Sequence, residues 1–372
     1  MSKHRIVGID FSHMHMGDLL RLVCDHPGAE VVGVWDADSE RPREVLNRLD
    51  LSDALIYSDW ETCLTKSNPT VAILCAPTAD HLLWAERIAA HNLHLLVEKP
   101  FAASSEAADT MIDAFSRAGR KLAINWPLAW YPVHRTAKRL IDEGVIGEIL
   151  NVHYYDGNRG PTYHVMDKIE VTPEQVLAEK QQSWFYQRAA GGGSLMDYLG
   201  YGATLATWFN EGEKPLEITS VVDSPAGLEV DEHSVTVAQY TSGLYKFETR
   251  WGTFTDPWTH QPAPKCGFII CGSAGTISSF DYESSVRVQT VASPEGYNVA
   301  ADLLSAPHTD GIAYFLHCID ENIDITGPLS PQISRIGQQI TDAAYQSALL
   351  KQTVPFDTPA AAPSATPAAR VV

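Results

Sequence analysis

The chain is poor in basic residues and has no long apolar run. Of its 372 residues, 27 are Lys or Arg and 46 are Asp or Glu, so the formal net charge is −19 at pH 7. Nucleic acids and anionic membranes are bound mainly through Lys and Arg, so neither is an expected partner. No apolar run approaches the roughly 18 residues that span a bilayer, and residues 6–9 are too short an apolar stretch for a secretory signal.

Cysteine is scarce as well. The six cysteines form no C-x-x-C pair, and Cys75 and Cys271 stand inside apolar, strand-like runs. We therefore expect buried, reduced thiols in a cytoplasmic protein rather than disulfides or a zinc site. Hydrophobic residues make up 45% and charged residues 20% of the chain, which is a globular composition with room for about two domains.

The first third of the chain alternates between two periodicities. Short runs that are apolar throughout are separated by stretches with helical spacing, and the runs lie at residues 5–9, 30–35, 71–75, 94–97 and 121–125. Strands of this kind are typical of a parallel sheet covered by helices on both faces. The pattern predicts an N-terminal doubly wound α/β domain of the Rossmann type over residues 1–125.

The remainder lacks this alternation. Strand-like runs between residues 218 and 289 follow one another without crossover helices, and helical spacing is found at residues 132–143, 193–209, 311–322 and 331–350. We predict a C-terminal α/β domain with an open, mainly antiparallel sheet over residues 126–356. The polar segment 156–190 is too long for a simple connection and is predicted to be a functional loop. Residues 357–372, rich in Ala and Pro, are predicted to form a disordered tail.

The first predicted strand leads into a loop that departs from the dinucleotide-binding pattern G-x-G-x-x-G. Gly8 matches, but Asp10 and His13 stand where the second and third glycines would be. A carboxylate about 4 Å from a phosphate costs roughly 1 kcal/mol in water and about 4 kcal/mol at intermediate dielectric, so weak cofactor affinity is expected. His13 and His15 could hold a metal together with Asp10, but one loop seldom supplies a complete site, and no metal is predicted.

Asp36 ends the second predicted strand. An acid at this position accepts hydrogen bonds from an adenosine ribose and repels a 2′-phosphate, which favours NAD over NADP. An exposed aspartate that caps the next helix explains the residue equally well.

Two further motifs lie where chemistry is expected. Glu98-Lys99-Pro100 ends a predicted strand at the edge where open α/β sheets bind ligands, although a surface ion pair before a turn has the same sequence. Gly191-Gly192-Gly193 opens a predicted helix on which Asp197 and Tyr201, four residues apart, share one face. The alternative is an ordinary first-turn aspartate above a half-buried tyrosine.

Together these motifs resemble the Gfo/Idh/MocA oxidoreductase family, which includes enzymes of the glucose–fructose oxidoreductase and inositol 2-dehydrogenase types. The resemblance extends over about residues 4–356, because three other stretches also match the family pattern: residues 77–81, 142–148 and 342–348. It implies hydride exchange between a nicotinamide and a secondary hydroxyl of a sugar, sugar acid or cyclitol. It also implies a homodimer or homotetramer that packs through the C-terminal sheet.

The resemblance also implies residue roles. Lys99 would bind the reacting oxygen, Asp197 would orient the substrate or Lys99, and Tyr201 would act as acid/base where most of the family has histidine. We expect the Lys99 ammonium to lower the pKa of Tyr201 toward neutrality. The residues assigned to the cofactor are Gly8, Phe11, Ser12, His13, Asp36, Pro77, His81, Glu98 and Asn125. Those assigned to the substrate are Trp126, Tyr163, His164 and Trp184, although core packing would also explain the aromatic ones.

The leading interpretation is thus an NAD-dependent dehydrogenase acting on a small sugar or polyol. The alternative is a catalytically silent protein on the same fold that binds or senses a sugar or a nucleotide, and the altered Gly8–Gly17 loop motivates it. An enzyme that holds NAD tightly and both oxidises and reduces within one turnover is a third interpretation.

Overall fold

Two large β-sheets organise the residues that the computed structural model describes, which are 3–180 and 182–356. The predicted tail at 357–372 lies outside the described residues. Among the described residues, no helix is both long and apolar enough to cross a bilayer.

Strands and helices alternate along the first 125 residues. They are β1 (His4–Ile9), α1 (His15–Asp25), β2 (Ala29–Trp35), α2 (Glu40–Arg48), β3 (Ile56–Tyr57), α3 (Trp60–Ser67), β4 (Val71–Leu74), α4 (His81–Ala90), β5 (His94–Glu98), α5 (Ser105–Ala118) and β6 (Leu122–Asn125). All six strands are parallel, in the order β3-β2-β1-β4-β5-β6. The predicted doubly wound sheet is confirmed, and its order reverses between β1 and β4, where ligands bind in such sheets.

The second part of the chain surrounds a nine-stranded sheet. Its elements are α6 (Pro132–Asp142), β7 (Ile149–Asn158), β8 (His164–Val165), β9 (Ile169–Glu170), α7 (Pro173–Lys180), α8 (Ser194–Phe209), β10 (Glu217–Asp223), β11 (His233–Gln239), β12 (Leu244–Trp251), β13 (Gly267–Gly272), β14 (Gly275–Phe280), β15 (Ser285–Thr290), β16 (Ser293–Ala300), α9 (Gly311–Asp320), α10 (Pro331–Leu350) and β17 (Val354–Pro355). The order is β16-β15-β14-β13-β7-β12-β11-β10-β17, and every pairing except β7 with β12 is antiparallel. The mainly antiparallel sheet is therefore confirmed.

Strand β7 corrects one detail of the sequence analysis. Residues 156–158 belong to this central strand rather than to the long loop that was predicted to begin at Asp156. The polar and glycine residues at the end of β7 hid it, because a strand is normally recognised by its apolar side chains. The correction places Asp156 on a rigid element of the core.

Helix α8 is buried along nearly its whole length between the second sheet and α10. Gly202 makes this close approach to the sheet possible, since a Cβ atom there would lie 2.7 Å from the Tyr154 ring. Gly200 likewise leaves room for Trp126, whose ring would be 2.5 Å from an added Cβ. The helix is thereby fixed with its first turns beside the end of β5.

The thiols are less uniformly buried than predicted. Four cysteines are buried, but Cys271 is half-buried and Cys24 is exposed on α1. All six are unpaired.

Candidate active site

A cavity of about 340 Å³ lies where the carboxyl ends of the first sheet face the second sheet and α8. Its walls include Lys99, Asp156, His164, Asp197, Tyr201 and Asp281. Residues far apart in sequence meet here because parallel strands end at a common edge and α8 closes over that edge.

Lys99 and Asp197 form a buried ion pair in the wall of this cavity. The Lys99 ammonium follows β5 and donates to Oδ1 of Asp197 over 2.5 Å, and the two residues are only 3% and 4% exposed. Asp197 lies in the first turn of α8, where the positive end of the helix dipole favours a negative charge. The alternative of a surface ion pair before a turn is therefore excluded for Lys99.

The start of α8 is held from outside the helix. The backbone amide of Leu195 donates to the Asp231 carboxylate over 2.8 Å, and that of Ser194 donates to the Asp231 carbonyl over 3.0 Å. Gly193 has φ +112°, and a Cβ there would lie 2.8 Å from the Asp231 carboxylate. These contacts explain why glycine precedes the helix, and they fix the position of Asp197.

Tyr201 lies one turn further along α8, and its pKa corrects an expectation. Burial raises this pKa well above the usual value, and the charges of Asp156 and Asp197 raise it further. The Lys99 ammonium lies over the ring, 5.2 Å from its centre, but it is paired with Asp197, and the net direction of the pKa shift is upward. Tyr201 is therefore a neutral hydroxyl near pH 7, suited to donating a proton.

Asp156 is a cavity residue that the sequence analysis missed. Burial raises its pKa to about 7, and the neighbouring charge of Asp281 contributes in the same direction. Asp281 is itself held at 3.0 Å by Nε2 of His134. The available signal was an acid at the polar end of an otherwise apolar run, which was assigned to a loop instead of a strand.

The loop after β1 has its backbone amides engaged within the protein. The amide of Phe11 donates to the Asp36 carboxylate over 2.7 Å, that of Ser12 to the Asp10 carboxylate over 2.9 Å, and that of His13 to the Cys75 carbonyl over 3.0 Å. Such amides hold the pyrophosphate in a dinucleotide-binding loop. The Asp10 carboxylate thus stands where a phosphate oxygen would be bound.

Asp10 also has a strained backbone. Its φ of +62° is in the left-handed region that glycine adopts without cost. Burial raises the pKa of its carboxyl to about 6, opposed by the Ser12 hydrogen bond and assisted by the charge of Asp36. The loop therefore keeps the backbone path of the glycine motif with a carboxylate inside it.

Asp36 directly follows the last residue of β2 and is 4% exposed. Besides Phe11, the amide of Asp38 donates to its carboxylate over 2.7 Å. The Arg41 guanidinium lies 3.6 Å from it and donates to the Ser12 hydroxyl over 3.1 Å. An acid suits the ribose of NAD, whereas a nearby arginine suits a 2′-phosphate, so this end of the groove carries features of both cofactors.

The other residues assigned to the cofactor fall into two groups. Gly8 lies in β1, Pro77 precedes a short 3₁₀ turn, and the His81 ring contacts the carbonyls of Ala76 and Phe101 at 3.0 and 3.1 Å. His81 thus braces two loops and is not a cavity wall.

Glu98 and Asn125 form the second group. Glu98 is fully buried, and its carboxylate accepts a 2.7 Å hydrogen bond from the Asn125 amide. Burial opposes ionisation of Glu98, but His15, Lys99 and Asn125 outweigh it and lower the pKa. Asn125 also lines the cavity.

Of the four residues assigned to the substrate, the structure brings His164 to the cavity wall. Trp126 is buried under Tyr201 with its ring edge-on at 5.1 Å. Trp184 stacks on Phe185 and donates its indole N–H to the Ser12 carbonyl over 3.0 Å. These two rings, like Tyr163 beneath the Arg159 guanidinium, pack the protein around the site rather than line the cavity.

Sequence profiles of known families match most of the chain. Residues 3–126 match an oxidoreductase family with an NAD-binding Rossmann fold, and residues 134–278 match the C-terminal domain of the Gfo/Idh/MocA proteins.

Curated relatives match over parts of the chain. A 2,7-anhydro-N-acetylneuraminate hydratase of Mediterraneibacter gnavus is 26% identical over 150 residues, which are 40% of this chain and 38% of the relative. An NADP-dependent D-xylose 1-dehydrogenase of Haloarcula marismortui is 33% identical over 125 residues, which are 33% of this chain and 35% of the relative. The chain thus spans less than two fifths of the length of either relative.

Solved structures share the fold across nearly the whole chain. An inositol dehydrogenase homologue from Azotobacter vinelandii, solved with NAD+, superposes with a TM-score of 0.77 at 14% identity and covers 95% of this chain and 97% of its own.

Proposed function

Because the chain belongs to the Gfo/Idh/MocA family of NAD-binding oxidoreductases, we propose that it exchanges hydride between a nicotinamide cofactor and a secondary hydroxyl of a sugar, sugar acid or cyclitol. The observation that carries the proposal is the buried Lys99–Asp197 ion pair in the wall of the cavity. Removing two charges from water costs several kcal/mol per ion. An ion pair that is buried in the wall of a binding cavity is therefore seldom retained unless it has a function there.

Lys99 is proposed to bind the reacting oxygen. An ammonium has three donors, and Asp197 accepts from one of them, which leaves donors for a substrate oxygen in the cavity. The positive charge stabilises the negative charge that develops on this oxygen in the transition state. Asp197 keeps the ammonium charged and oriented.

Tyr201 is proposed to donate the proton to that oxygen when a ketone is reduced. The hydroxyl is protonated near pH 7, because its pKa lies above the usual value of 10, and the protonated hydroxyl is the form that can donate to the oxygen. In the oxidative direction the proton has to move on, and Asp156, with a pKa raised to about 7, is the proposed acceptor.

The residues that would hold the cofactor fit it at both ends of the groove. Asp36 would accept from the adenosine ribose, while Glu98 and Asn125 lie beside Lys99 at the nicotinamide end. In the middle, the Ser12 amide becomes available once the Asp10 carboxylate moves away. When bound, the nicotinamide supplies the hydride acceptor, and we propose NAD in preference to NADP because Asp36 is buried whereas Arg41 is exposed.

Charge in the cavity narrows the proposed substrate. Five aspartates and two lysines, Lys99 and Lys168, lie in its walls. A carboxylate or phosphate in the substrate would meet an excess of like charge, which is costly where water is scarce. A neutral sugar or cyclitol is therefore favoured over a sugar acid.

The engaged loop amides support a second candidate function, a catalytically silent protein that binds or senses a sugar. Titration of the protein with NAD and with NADP, followed by its tryptophan fluorescence, is the first part of the test. A panel of neutral sugars, cyclitols and sugar acids, followed by the absorbance of the reduced nicotinamide, is the second. Binding of NAD with turnover of a neutral polyol supports the dehydrogenase, and sugar binding without nucleotide binding supports the silent protein.

We also propose the division into domains at residue 125, a cytoplasmic location, and a homodimer or homotetramer formed through the second sheet. Apolar side chains on the sheet face away from α8 support the oligomer: Val221 is 69% exposed, Leu244 52% and Ile269 40%. Light scattering during size-exclusion chromatography measures the mass, and a monomer at all concentrations would refute the oligomer.

A further inference from the structure

His13, His15 and Glu98 come together at the end of the cavity next to Lys99. His13 and His15 belong to the loop and first turn after β1, and Glu98 ends β5. One nitrogen of each histidine and one oxygen of Glu98 all lie within 4.8 Å of one another. The sequence analysis looked for a third ligand in Asp10, on the same loop, but Asp10 bonds to the Ser12 amide and Glu98 takes its place.

The three groups are arranged as in a metal site without its metal. Nδ1 of His15 is 2.8 Å from Oε1 of Glu98, and Nε2 of His13 is 4.0 Å from the same oxygen. Ligand atoms of a tetrahedral ion with bonds of about 2.1 Å are roughly 3.4 Å apart, a spacing that lies between these two distances. The three ligand atoms are spread over up to 4.8 Å, so binding of a cation requires the side chains to move closer together around it.

An unpartnered atom points into this cluster. Nε2 of His13 is buried and has no hydrogen-bond partner in the described part of the chain, and the residue is 2% exposed. Buried polar atoms are nearly always bonded, so an exception at a point where two other ligand atoms converge indicates a missing ligand. Metal ligation through Nε2 places the ring proton on Nδ1, and the only bond given up is a long 3.2 Å contact from the His15 amide.

The surroundings fit a cation as well. Asn125 donates to the second oxygen of Glu98 and so orients it, as residues around metal ligands commonly do. The His13 ring is fixed edge-on against Phe185, with 5.3 Å between the ring centres. The cavity beyond has an excess of aspartate over lysine, and it leaves room for water or a substrate oxygen as a further ligand.

We propose that His13, His15 and Glu98 bind one divalent transition-metal ion of the Zn²⁺ class, with an open coordination position toward the cavity. Two imidazoles and one carboxylate are a donor set that such ions prefer over Mg²⁺ or Ca²⁺. The ion would be a Lewis acid beside Lys99. The site shares Glu98 and Asn125 with the proposed nicotinamide end of the groove, and its test therefore measures binding of the metal alone, without nucleotide.

The test is titration of the full chain, freed of metal by a chelator, with ZnCl₂ in a calorimeter in the absence of nucleotide. One equivalent of Zn²⁺ per chain is expected. His15→Gln removes a ligand from a half-exposed position and should weaken binding by more than the roughly 10–100-fold typical of changes around a metal site. Asn125→Ala should weaken binding within that range, and His260→Gln, at an exposed histidine outside the cavity, should leave it unchanged.

A second measurement covers the case in which a variant does not fold. CoCl₂ added to the unaltered protein should give the visible absorption of a four- or five-coordinate ion at one equivalent, and Glu98→Gln should abolish it. Zn²⁺ binding that is equally weak in the unaltered protein, His15→Gln and His260→Gln would refute the site, because it would reflect surface histidines only. Failure of this test leaves the dehydrogenase proposal standing, since nucleotide binding and turnover are measured separately.

Discussion

The two ends of the proposed cofactor groove differ in how completely they are assembled. At the β5–α8 end, Lys99 and Asp197 are buried, paired and held by helix capping from Asp231. At the β1–α1 end, the loop has the backbone path of a dinucleotide site, but the Asp10 carboxylate occupies the amide that would bind phosphate. The groups that would bind the reacting oxygen are thus in place at the β5–α8 end, whereas the phosphate-binding amide at the β1–α1 end is already engaged.

Because the two ends of the groove depend on different contacts, substitutions can alter one end without altering the other. The ion pair joins the first sheet to the helix that packs on the second sheet, because Lys99 follows β5 and Asp197 lies in the first turn of α8, so altering it disturbs the core. The loop depends on local contacts within residues 8–13 and with the end of β2. Substitutions at the first end should therefore cost both activity and stability, whereas those at the second should change mainly cofactor affinity.

The largest expected effect is that of Lys99→Ala. It removes the ligand of the reacting oxygen, and loss of one such donor alone costs about 10²–10³-fold in kcat. It also leaves Asp197 buried without a partner, which costs about 3–5 kcal/mol of unfolding free energy. Turnover and urea denaturation measure the two losses, and a variant of normal stability would show that the pair is not a buried structural contact.

Tyr201→Phe should have the next largest effect. It deletes the hydroxyl and keeps the ring that packs against Trp126. Acid–base groups contribute about 10²–10⁴-fold, so kcat for ketone reduction should fall by about 10²-fold or more while Tm and NAD affinity stay the same. A near-normal kcat at every pH would assign Tyr201 to packing alone.

Asp156→Asn should change the pH dependence of both folding stability and oxidative turnover. The folded pKa of about 7 is above the usual 3.8, so the folded chain binds the proton more tightly than the unfolded one. Stability is therefore lost as pH rises from about 4 to about 7, and Asn should remove that part of the loss. In the oxidative direction, kcat should rise through about pH 7 in the unaltered protein and depend less on pH in the variant.

Thermal unfolding and oxidative turnover across this pH range check both expectations for Asp156. Parallel pH profiles of the variant and the unaltered protein would contradict the assignment.

The sequence predicted the framework of the site better than its details. The sequence correctly predicted where β2 ends before Asp36, where β5 ends before Lys99, and where α8 begins. Apolar runs and glycines mark such boundaries because they depend on the local backbone conformation. Strand β7 was missed because its end is polar, and with it Asp156, whose importance comes from burial by distant residues.

Two other details depend on contacts between distant residues. The contact of Glu98 with His15 joins residues 83 apart in sequence and depends on the sheet order β1-β4-β5, which brings the ends of β1 and β5 to the same edge. The pKa of Tyr201 was predicted in the wrong direction because burial and the charges of Asp156 and Asp197 raise it, and residue types do not reveal burial by distant residues. Aromatic residues such as Trp126 were correctly located near the site, but composition does not tell a cavity wall from the packing behind it.

The smallest expected change is a gain in NAD affinity from Asp10→Gly. It bears most directly on the comparison between the two ends of the groove. Glycine adopts the φ of +62° without strain and frees the Ser12 amide for phosphate. A carboxylate near a phosphate costs roughly 1–4 kcal/mol of binding free energy. Asp10 avoids part of this cost, because its pKa, raised to about 6, permits its protonation. NAD should bind about tenfold more tightly at pH 7.5, measured by fluorescence titration.

The pH dependence separates this explanation from a merely structural one. In the unaltered protein, NAD affinity should increase as pH falls from 7.5 toward 5.5, because protonation of Asp10 removes the repelling charge, whereas in Asp10→Gly this increase should be absent. Asp10→Asn is the matched variant, since it removes the charge and retains a side chain that can still engage the Ser12 amide. If the Asp10→Gly and Asp10→Asn variants bind NAD equally well, the charge of Asp10 is the obstacle to binding. If Asp10→Gly binds NAD more tightly than Asp10→Asn, the obstacle is the engagement of the Ser12 amide. Weaker binding by both would show that Asp10 supports the cofactor site, and the contrast between the two ends of the groove would be lost.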